Sequence, residues 1–195
     1  MSGLRYAFKE WAVICRALAE GRQSLILRKG GIAEEGGRFR VEHTRFWLYP
    51  TYAHQQKAGV TAEAAPLLEQ SEAERPPEGV VRLSHFVEVP GVYHVTTVHD
   101  VVGAWKLEGL HCWSRETVAA RFAYRTPGLF VLPARVYRAA QAFELPETPY
   151  YAGCKSWVEL ERELPTDGAT PVVGDEEFQK LLRILDHLLQ PTAWA

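Results

Sequence analysis

The residues best suited to do chemistry lie in one stretch of the chain, from Arg28 to Gln56. The stretch opens with Arg28, Lys29, Gly30 and Gly31. The two glycines allow backbone N–H groups to converge as a nest for an anion, and the two basic side chains add positive charge. The pattern therefore predicts an anion-binding turn, although paired glycines are also typical of a plain hairpin turn.

Aromatic and hydrogen-bonding side chains follow this turn. Trp47, Tyr49 and Tyr52 could form a stacking surface, since base–aromatic contacts contribute ~1–3 kcal/mol each. The alternative is that the rings fill the core. Beyond the end of the aromatic strand, Thr51 and Gln55 have no apolar pattern around them. The predicted binding residues are Arg28, Lys29, Gly30, Gly31, Trp47, Tyr49, Thr51, Tyr52, His54 and Gln55.

His54 is the candidate for proton transfer, because imidazole is the side chain most often used as an acid or base near neutral pH. With Glu34 and Arg28 converging beside it, His54 would belong to an enzyme acting on a small or nucleotide substrate. Geometry separates this hypothesis from binding alone. A shared pocket favours the enzyme, whereas a flat basic face with exposed Trp47 or Tyr52 favours a binding surface.

Other common sites are not indicated by the sequence. Gln55-Gln56-Lys57 supplies a Q-x-K, yet none of the four aspartates precedes it, so the ligand order of a PD-(D/E)xK nuclease is missing. No C-x-x-C, H-x-x-x-H, G-x-S-x-G, Walker or G-x-G-x-x-G pattern occurs. We therefore predict neither a metal nor a cofactor.

Length and composition set the remaining bounds. A chain of 195 residues with 47% hydrophobic content suits one domain over residues 1–195. Three widely spaced cysteines do not form a disulfide framework and indicate a reducing cytoplasm. No apolar run reaches the ~18–20 residues that span a bilayer, so we expect no membrane association.

Charge is distributed unevenly, although the net charge is only −2. Residues 111–140 contain five arginines and one glutamate, whereas residues 141–195 contain four basic and ten acidic side chains. The basic middle could contact nucleic acid, and the acidic C-terminal region could contact a protein partner. Exposed leucines on residues 176–189 would favour such a partner.

Periodicity and turn signals predict the elements that position these residues. The expected helices cover residues 7–20, 62–70, 100–108, 114–124 and 175–189. The expected strands cover residues 23–28, 39–41, 46–49, 80–89, 92–98, 129–137 and 153–158. Pro90-Gly91 predicts a hairpin, Pro133 an edge or bulge, and residues 71–79 an exposed loop.

Together these elements predict an α+β fold: a single domain with a mixed or mainly antiparallel sheet and amphipathic helices at both ends. A PUA-like barrel is the more specific version. A helix that runs through Gly21 into a strand ending in Arg28-Lys29 is similar to how PUA-like and ASCH nucleic-acid-binding folds begin.

Several short pieces of the sequence resemble the bacterial "domain of unknown function 1802" family. They are Phe8-Lys9-Glu10-Trp11, Arg28-Lys29-Gly30-Gly31-Ile32, Phe46-Trp47-Leu48-Tyr49-Pro50-Thr51 with His54-Gln55, Arg121-Phe122, Arg135-Val136-Tyr137 and Gly153-Cys154-Lys155-Ser156-Trp157. The resemblance implies no established activity. Some members look fused to restriction-endonuclease-like domains of the Mrr type, which implies a DNA-related, restriction or defence setting by association.

The leading hypothesis is a nucleic-acid-associated binding module for DNA or RNA. The alternatives are the His54 enzyme and a protein–protein interaction module that uses the acidic C-terminal region.

Overall fold

The computed structural model describes residues 3–29, 41–96, 107–151, 153, 155–189 and 191–192. Gly30, Gly31, Glu34, the predicted strand at 39–41 and the predicted helix over 100–108 lie wholly or mainly outside these residues. Within them the chain forms an α+β fold with four α-helices. These are α1 (Ala12–Ala19), α2 (Ala65–Ala73), α3 (Arg115–Ala123) and α4 (Asp175–Leu188).

The strands form two open sheets. Their bounds are β1 (Gly3–Trp11), β2 (Leu25–Arg28), β3 (Arg45–Thr51), β4 (Val80–Glu88), β5 (Val92–Val95), β6 (Leu129–Pro133), β7 (Arg135–Pro146), β8 (Trp157–Pro165), β9 (Thr170–Pro171) and β10 (Pro191–Thr192). The six-stranded sheet has the order β8-β1-β3-β4-β7-β9, and the four-stranded sheet has the order β10-β5-β6-β2. Because β8 and β9 do not pair, the described strands do not close, and the expectation of a PUA-like barrel is wrong.

The six-stranded sheet is mixed, as predicted. Strands β1 and β3 run parallel, with Ala7 opposite Trp47 and Trp11 opposite Thr51, and the other pairs in this sheet are antiparallel. The carboxyl ends of β1 and β3 therefore lie side by side at the same end of the sheet. Ligand sites are common at the carboxyl ends of parallel strands.

Both faces of this sheet are covered. On β3, Phe46 and Leu48 belong to one hydrophobic cluster, whereas Trp47 and Tyr49 belong to another. Successive side chains of a strand point to opposite faces, so β3 is buried on both sides. The larger cluster contains α1 and the four-stranded sheet, and the smaller one lies against β7 and β8.

The predicted helix over residues 7–20 is wrong in its first half. Residues up to Trp11 belong to β1, and the helix begins at Ala12. The spacing of Phe8, Trp11, Cys15 and Leu18 fits a helix, but pairing with β3 and β8 determines the structure before residue 12. Gly21 ends the helix as predicted, with φ of +69°.

The predicted hairpin around Pro90-Gly91 is also wrong. Strand β4 belongs to the six-stranded sheet and β5 to the four-stranded sheet, so the turn connects two sheets. The Val89 N–H donates to the Thr44 carbonyl at 2.8 Å, which continues the pairing with the β3 strand and not with β5. The chain changes sheets again at Ala134, between β6 and β7, where the edge or bulge was expected at Pro133.

Helix α3 has its predicted cap, and α4 has its predicted apolar face, although α4 is preceded by Gly174 and the prediction that Asp175 caps it is wrong. The Ser114 hydroxyl accepts the Thr117 N–H at the start of α3. On α4, Phe178 and Leu185 are buried, and Leu181 and Leu188 pack against the larger cluster. The leucines of α4 are therefore used by the core and do not form an exposed surface.

Helix α2 extends beyond its predicted end. It continues to Ala73, and Ser71 is buried with its hydroxyl donating to the Leu68 carbonyl at 2.8 Å. Residues 71–73 are therefore helix, not part of the predicted exposed loop. None of the helices in the described ranges is both long and apolar enough to cross a bilayer.

Candidate functional site

A cleft of about 580 Å³ opens at the carboxyl ends of β1 and β3. Its walls come from the ends of these strands, the segment after α2, Arg121 of α3, and residues 153 and 155 before β8. The lining is rich in positive charge. Six cationic side chains line it, namely Lys9, Arg28, Arg75, Arg82, Arg121 and Lys155, against Glu10, Glu78 and Glu147.

Glu10 lies at the floor of the cleft. Glu10 is 2% exposed, and one of its carboxylate oxygens, Oε1, accepts the Trp11 N–H at 2.8 Å. The other oxygen, Oε2, is 3.8 Å from Arg28 Nη1 and has no hydrogen-bond partner among the described residues. A buried carboxylate oxygen of this kind is stabilised chiefly by the cations around it.

Arg28 is held in place at the end of β2. Its Nη2 donates to the Ser156 hydroxyl at 2.7 Å, and its guanidinium lies 4.8 Å from the Phe8 ring centroid. Its Nε is buried and unpaired within the described part of the chain. Unpaired buried donors are uncommon in folded proteins, which makes a bound water or ligand at this position a reasonable expectation.

Arg121 is the second guanidinium near Glu10. It donates to the Leu27 carbonyl at 3.1 Å and lies 3.6 Å from the Trp113 ring centroid. Burial lowers its pKa to about 10, Glu10 opposes that shift, and Arg28 adds to it. Arg121 is still charged at neutral pH, so the floor combines one carboxylate with two guanidiniums and is net positive.

Four of the predicted site residues line this cleft: Arg28, Thr51, Tyr52 and His54. Thr51 donates its hydroxyl to the Glu10 carbonyl at 3.0 Å. The Tyr52 ring lies 4.7 Å from the Arg75 guanidinium. His54 is exposed and adopts φ of +66°, a left-handed conformation that histidine tolerates better than most residues.

Trp47 and Tyr49 are not in the cleft, and the prediction that they form a stacking surface is wrong. They are 0% and 1% exposed. Trp47 donates its indole N–H to the Leu4 carbonyl at 3.2 Å, and the Tyr49 hydroxyl donates to Glu147 at 3.0 Å. Both rings fill the smaller cluster, because the sheet is covered on the face to which they point.

Lys29 and Gln55 have structural roles. Lys29 donates to the carbonyls of Phe122 (3.3 Å) and Gly128 (2.8 Å) and to that of Thr126, which stabilises the end of α3. The Gln55 side-chain oxygen accepts the Val13 N–H at 3.2 Å in the first turn of α1, and its amide donates to Glu72. Neither Lys29 nor Gln55 lines the cleft.

Sequence reasoning missed the other cations of the cleft. Lys9 and Glu10 were placed on a helix, which concealed that they end a strand beside β3. The signal that could have found them is the resemblance itself, since Lys9, Glu10 and Lys155 lie in the matching pieces. Arg121 also lies in a matching piece, Arg121-Phe122, whereas Arg75 carries no local signal. Two of the five arginines of residues 111–140 have other uses: Arg115 pairs with Glu108 at 2.6 Å, and Arg135 donates to the Val173 carbonyl at 2.7 Å.

The whole fold was compared with solved structures. A serine-to-alanine mutant of ZmASCH from Zymomonas mobilis is 12% identical, with 94% of this chain and 99% of that chain covered and a TM-score of 0.44. ASCH from Zymomonas mobilis is 14% identical, with 96% and 95% covered and a TM-score of 0.39. No curated protein is significantly similar to the chain.

The family resemblance is confirmed over most of the sequence. The model described as "Domain of unknown function (DUF1802)" matches residues 7–183, which include every residue that lines the cleft. This chain belongs to the DUF1802 family.

Proposed function

We propose that this chain is a nucleic-acid-binding module and that the cleft at the ends of β1 and β3 holds a nucleotide unit of its ligand. The observation that carries the proposal is the lining of the cleft, in which six cations oppose three carboxylates around the half-buried Arg28 and Arg121. One of the six, Arg82, is already paired with Glu144 outside the cleft, and the other five still outnumber the carboxylates. Phosphate contacts by Arg and Lys supply most of the affinity in such complexes.

Tyr52 takes the stacking role that was predicted for three aromatics. It is half-buried, lines the cleft and lies against Arg75. An aromatic ring beside cations can hold any base by its face, so the module would bind with little sequence preference. A restriction or defence setting belongs to the same proposal. Its only support is that some family members look fused to restriction-endonuclease-like domains. A reducing compartment, the cytoplasm, suits Cys15 and Cys112, which are free and buried.

We expect oligonucleotide affinity to fall steeply with salt, by about 0.7 in log–log slope for each phosphate contact on a single strand. The Arg75→Gln/Lys155→Gln double variant should bind roughly tenfold more weakly and lose about 1.4 of that slope, since it removes two contacts. Fluorescence anisotropy with labelled DNA and RNA oligomers over a salt series measures both quantities.

The Lys180→Gln/Arg183→Gln variant is the matched control, because it removes the same charge from exposed positions of α4 that do not line the cleft. Equal effects in the two variants would show that only overall charge matters. Absence of any binding by the natural chain at low salt would refute the proposed function.

A second candidate function is supported by the placement of His54. His54 and Arg28 line one cleft, and a shared cleft favours an enzyme over a flat binding face. Glu34, the predicted carboxylate, lies outside the described residues, and Glu10 is the carboxylate beside Arg28. His54 makes no hydrogen bond or ion pair with the described residues, so its imidazole is available to a ligand. It would act as acid or base on a nucleotide substrate.

His54→Asn tests this candidate without disturbing the fold, since asparagine also accepts φ of +66°. We expect the free energy of unfolding to change by no more than ~0.5 kcal/mol. Turnover in a panel of nucleotides and oligonucleotides should fall roughly 10²–10⁴-fold if His54 transfers a proton. Unchanged turnover in the variant would remove His54 from catalysis.

A protein partner for the acidic C-terminal region has less support. The leucines of α4 that would have formed its surface pack against the core.

A further inference from the structure

A second cleft, of about 340 Å³, lies beside the first. It is lined by residues of α1, β4 and β7, including Arg138 and His85. The two clefts have four lining residues in common: Pro50, Tyr52, Pro76 and Arg82. Because these residues border both spaces, the two clefts adjoin each other at Tyr52.

The cations of the second cleft differ in what they already contact. Arg16 pairs with Glu20 at 2.8 Å and with Glu74 at 2.7 Å. Arg82 holds Glu144 through two donors, at 3.0 and 2.7 Å. These two arginines are neutralised by protein carboxylates and have little charge left for a ligand.

Arg138 is the exception. It is exposed on β7, and its guanidinium forms no hydrogen bond or ion pair with any residue in the described ranges. Its neighbour across the strand pair is His85, whose Nδ1 lies 2.9 Å from the Ser84 hydroxyl. His85 Nε2 is buried and has no partner in the described chain. The second cleft therefore presents one uncompensated guanidinium, that of Arg138, next to a histidine whose Nε2 is buried and unpaired.

Tyr52 lies where the two clefts meet. Arg75 contacts its ring on the side of the first cleft, at 4.7 Å, because Arg75 lines only that cleft. A phosphodiester strand presents a phosphate on each side of every base. A strand that runs from one cleft to the other past Tyr52 would place a base at Tyr52 and a phosphate in each cleft.

We propose that the two clefts form one groove for a single-stranded polynucleotide, in which Arg138 binds the phosphate that follows the nucleotide held in the first cleft. The inference rests on the proposed function and adds the class of ligand. A mononucleotide carries phosphate on one side only and would fill the first cleft alone. A duplex keeps its bases stacked and paired, so it cannot lay one against Tyr52.

The test compares a single-stranded decamer, as DNA and as RNA, with the matching mononucleotide as competitor. The natural chain should bind either decamer at least tenfold more tightly than the mononucleotide and more tightly than the duplex. Arg138→Gln should weaken decamer binding roughly three- to tenfold and lower the salt slope by about 0.7, while competition by the mononucleotide stays unchanged.

Arg183→Gln is the matched control, because Arg183 is an exposed arginine that lines neither cleft. Thermal denaturation should show unchanged midpoints for both variants, since Arg138 has no protein partner to lose. If Arg138→Gln binds the decamer as Arg183→Gln does, or if the mononucleotide or the duplex binds as tightly as the decamer, the groove is refuted while nucleic-acid binding stands. If no oligomer binds the natural chain, both proposals fall.

Discussion

Trp47→Ala is expected to lower the free energy of unfolding by about 3–5 kcal/mol, the usual cost of removing a fully buried large aromatic. The ring lies 5.5 Å from the centroids of both Phe86 and Phe143, and its indole N–H donates to the Leu4 carbonyl. The substitution would leave a cavity and an unpaired carbonyl in the smaller cluster. Urea denaturation followed by circular dichroism measures the change.

Tyr52→Ala provides the contrasting variant, because Tyr52 is the half-buried aromatic of the cleft. It should lose less stability than Trp47→Ala but weaken oligonucleotide binding, by ~1–3 kcal/mol if one base stacks on the ring. Trp47→Ala, measured below its unfolding midpoint, should keep its affinity. If Trp47→Ala remains folded but no longer binds the oligonucleotide, Trp47 must contact the ligand, which would contradict the structure.

The free energy of unfolding is expected to fall by about 3 kcal/mol between pH 7 and pH 4, mainly because His85 titrates at a lower pH in the folded chain than in the unfolded chain. Burial, with a smaller contribution from Arg138, lowers the pKa of His85 to about 4 from the model-peptide value of 6.5. The unfolded chain therefore binds a proton at this histidine before the folded chain does. The stability is fully present above pH 6.5 and is lost as pH falls through the folded pKa.

The His85→Asn variant should lose most of this pH dependence, since asparagine does not titrate in that range. Burial also lowers the pKa values of His111 and His43, so part of the fall should remain. Urea denaturation in steps from pH 7 to pH 4 gives the curve, and His54→Asn, which removes an exposed imidazole, is the control. Identical slopes for the natural chain and His85→Asn would exclude His85 as the cause.

The elements that sequence reasoning predicted well are those fixed by local signals. Helix α4 has a long apolar face, and the start of α3 has a serine cap, so neighbouring residues alone determine both. Residues 7–11 were predicted wrongly, because the spacing of their apolar side chains suits a helix as well as a strand. Pairing with β8, about 150 residues away, decides between the two.

The candidate site was predicted in part for the same reason. Arg28, Thr51, Tyr52 and His54 come from one stretch and were found together, whereas Arg121 and Lys155 reach the cleft only through the fold. Trp47 was misassigned because alternation along a strand separates two faces without showing which one is covered. Here both faces are covered, so the aromatic of this stretch that reaches the cleft is Tyr52, beyond the strand end.

The position of β1 has a consequence for how the chain folds during synthesis. One side of β1 pairs with β3, but the other side pairs with β8 as far as Gly3 opposite Pro165. The backbone N–H and C=O groups on this side of β1 are therefore paired only after β8 has been synthesised. Such pairing between residues far apart in the sequence slows folding. Until residue 165 has left the ribosome, β1 presents an open edge to other nascent chains, and the strand that carries Lys9 and Glu10 is the place where aggregation would start.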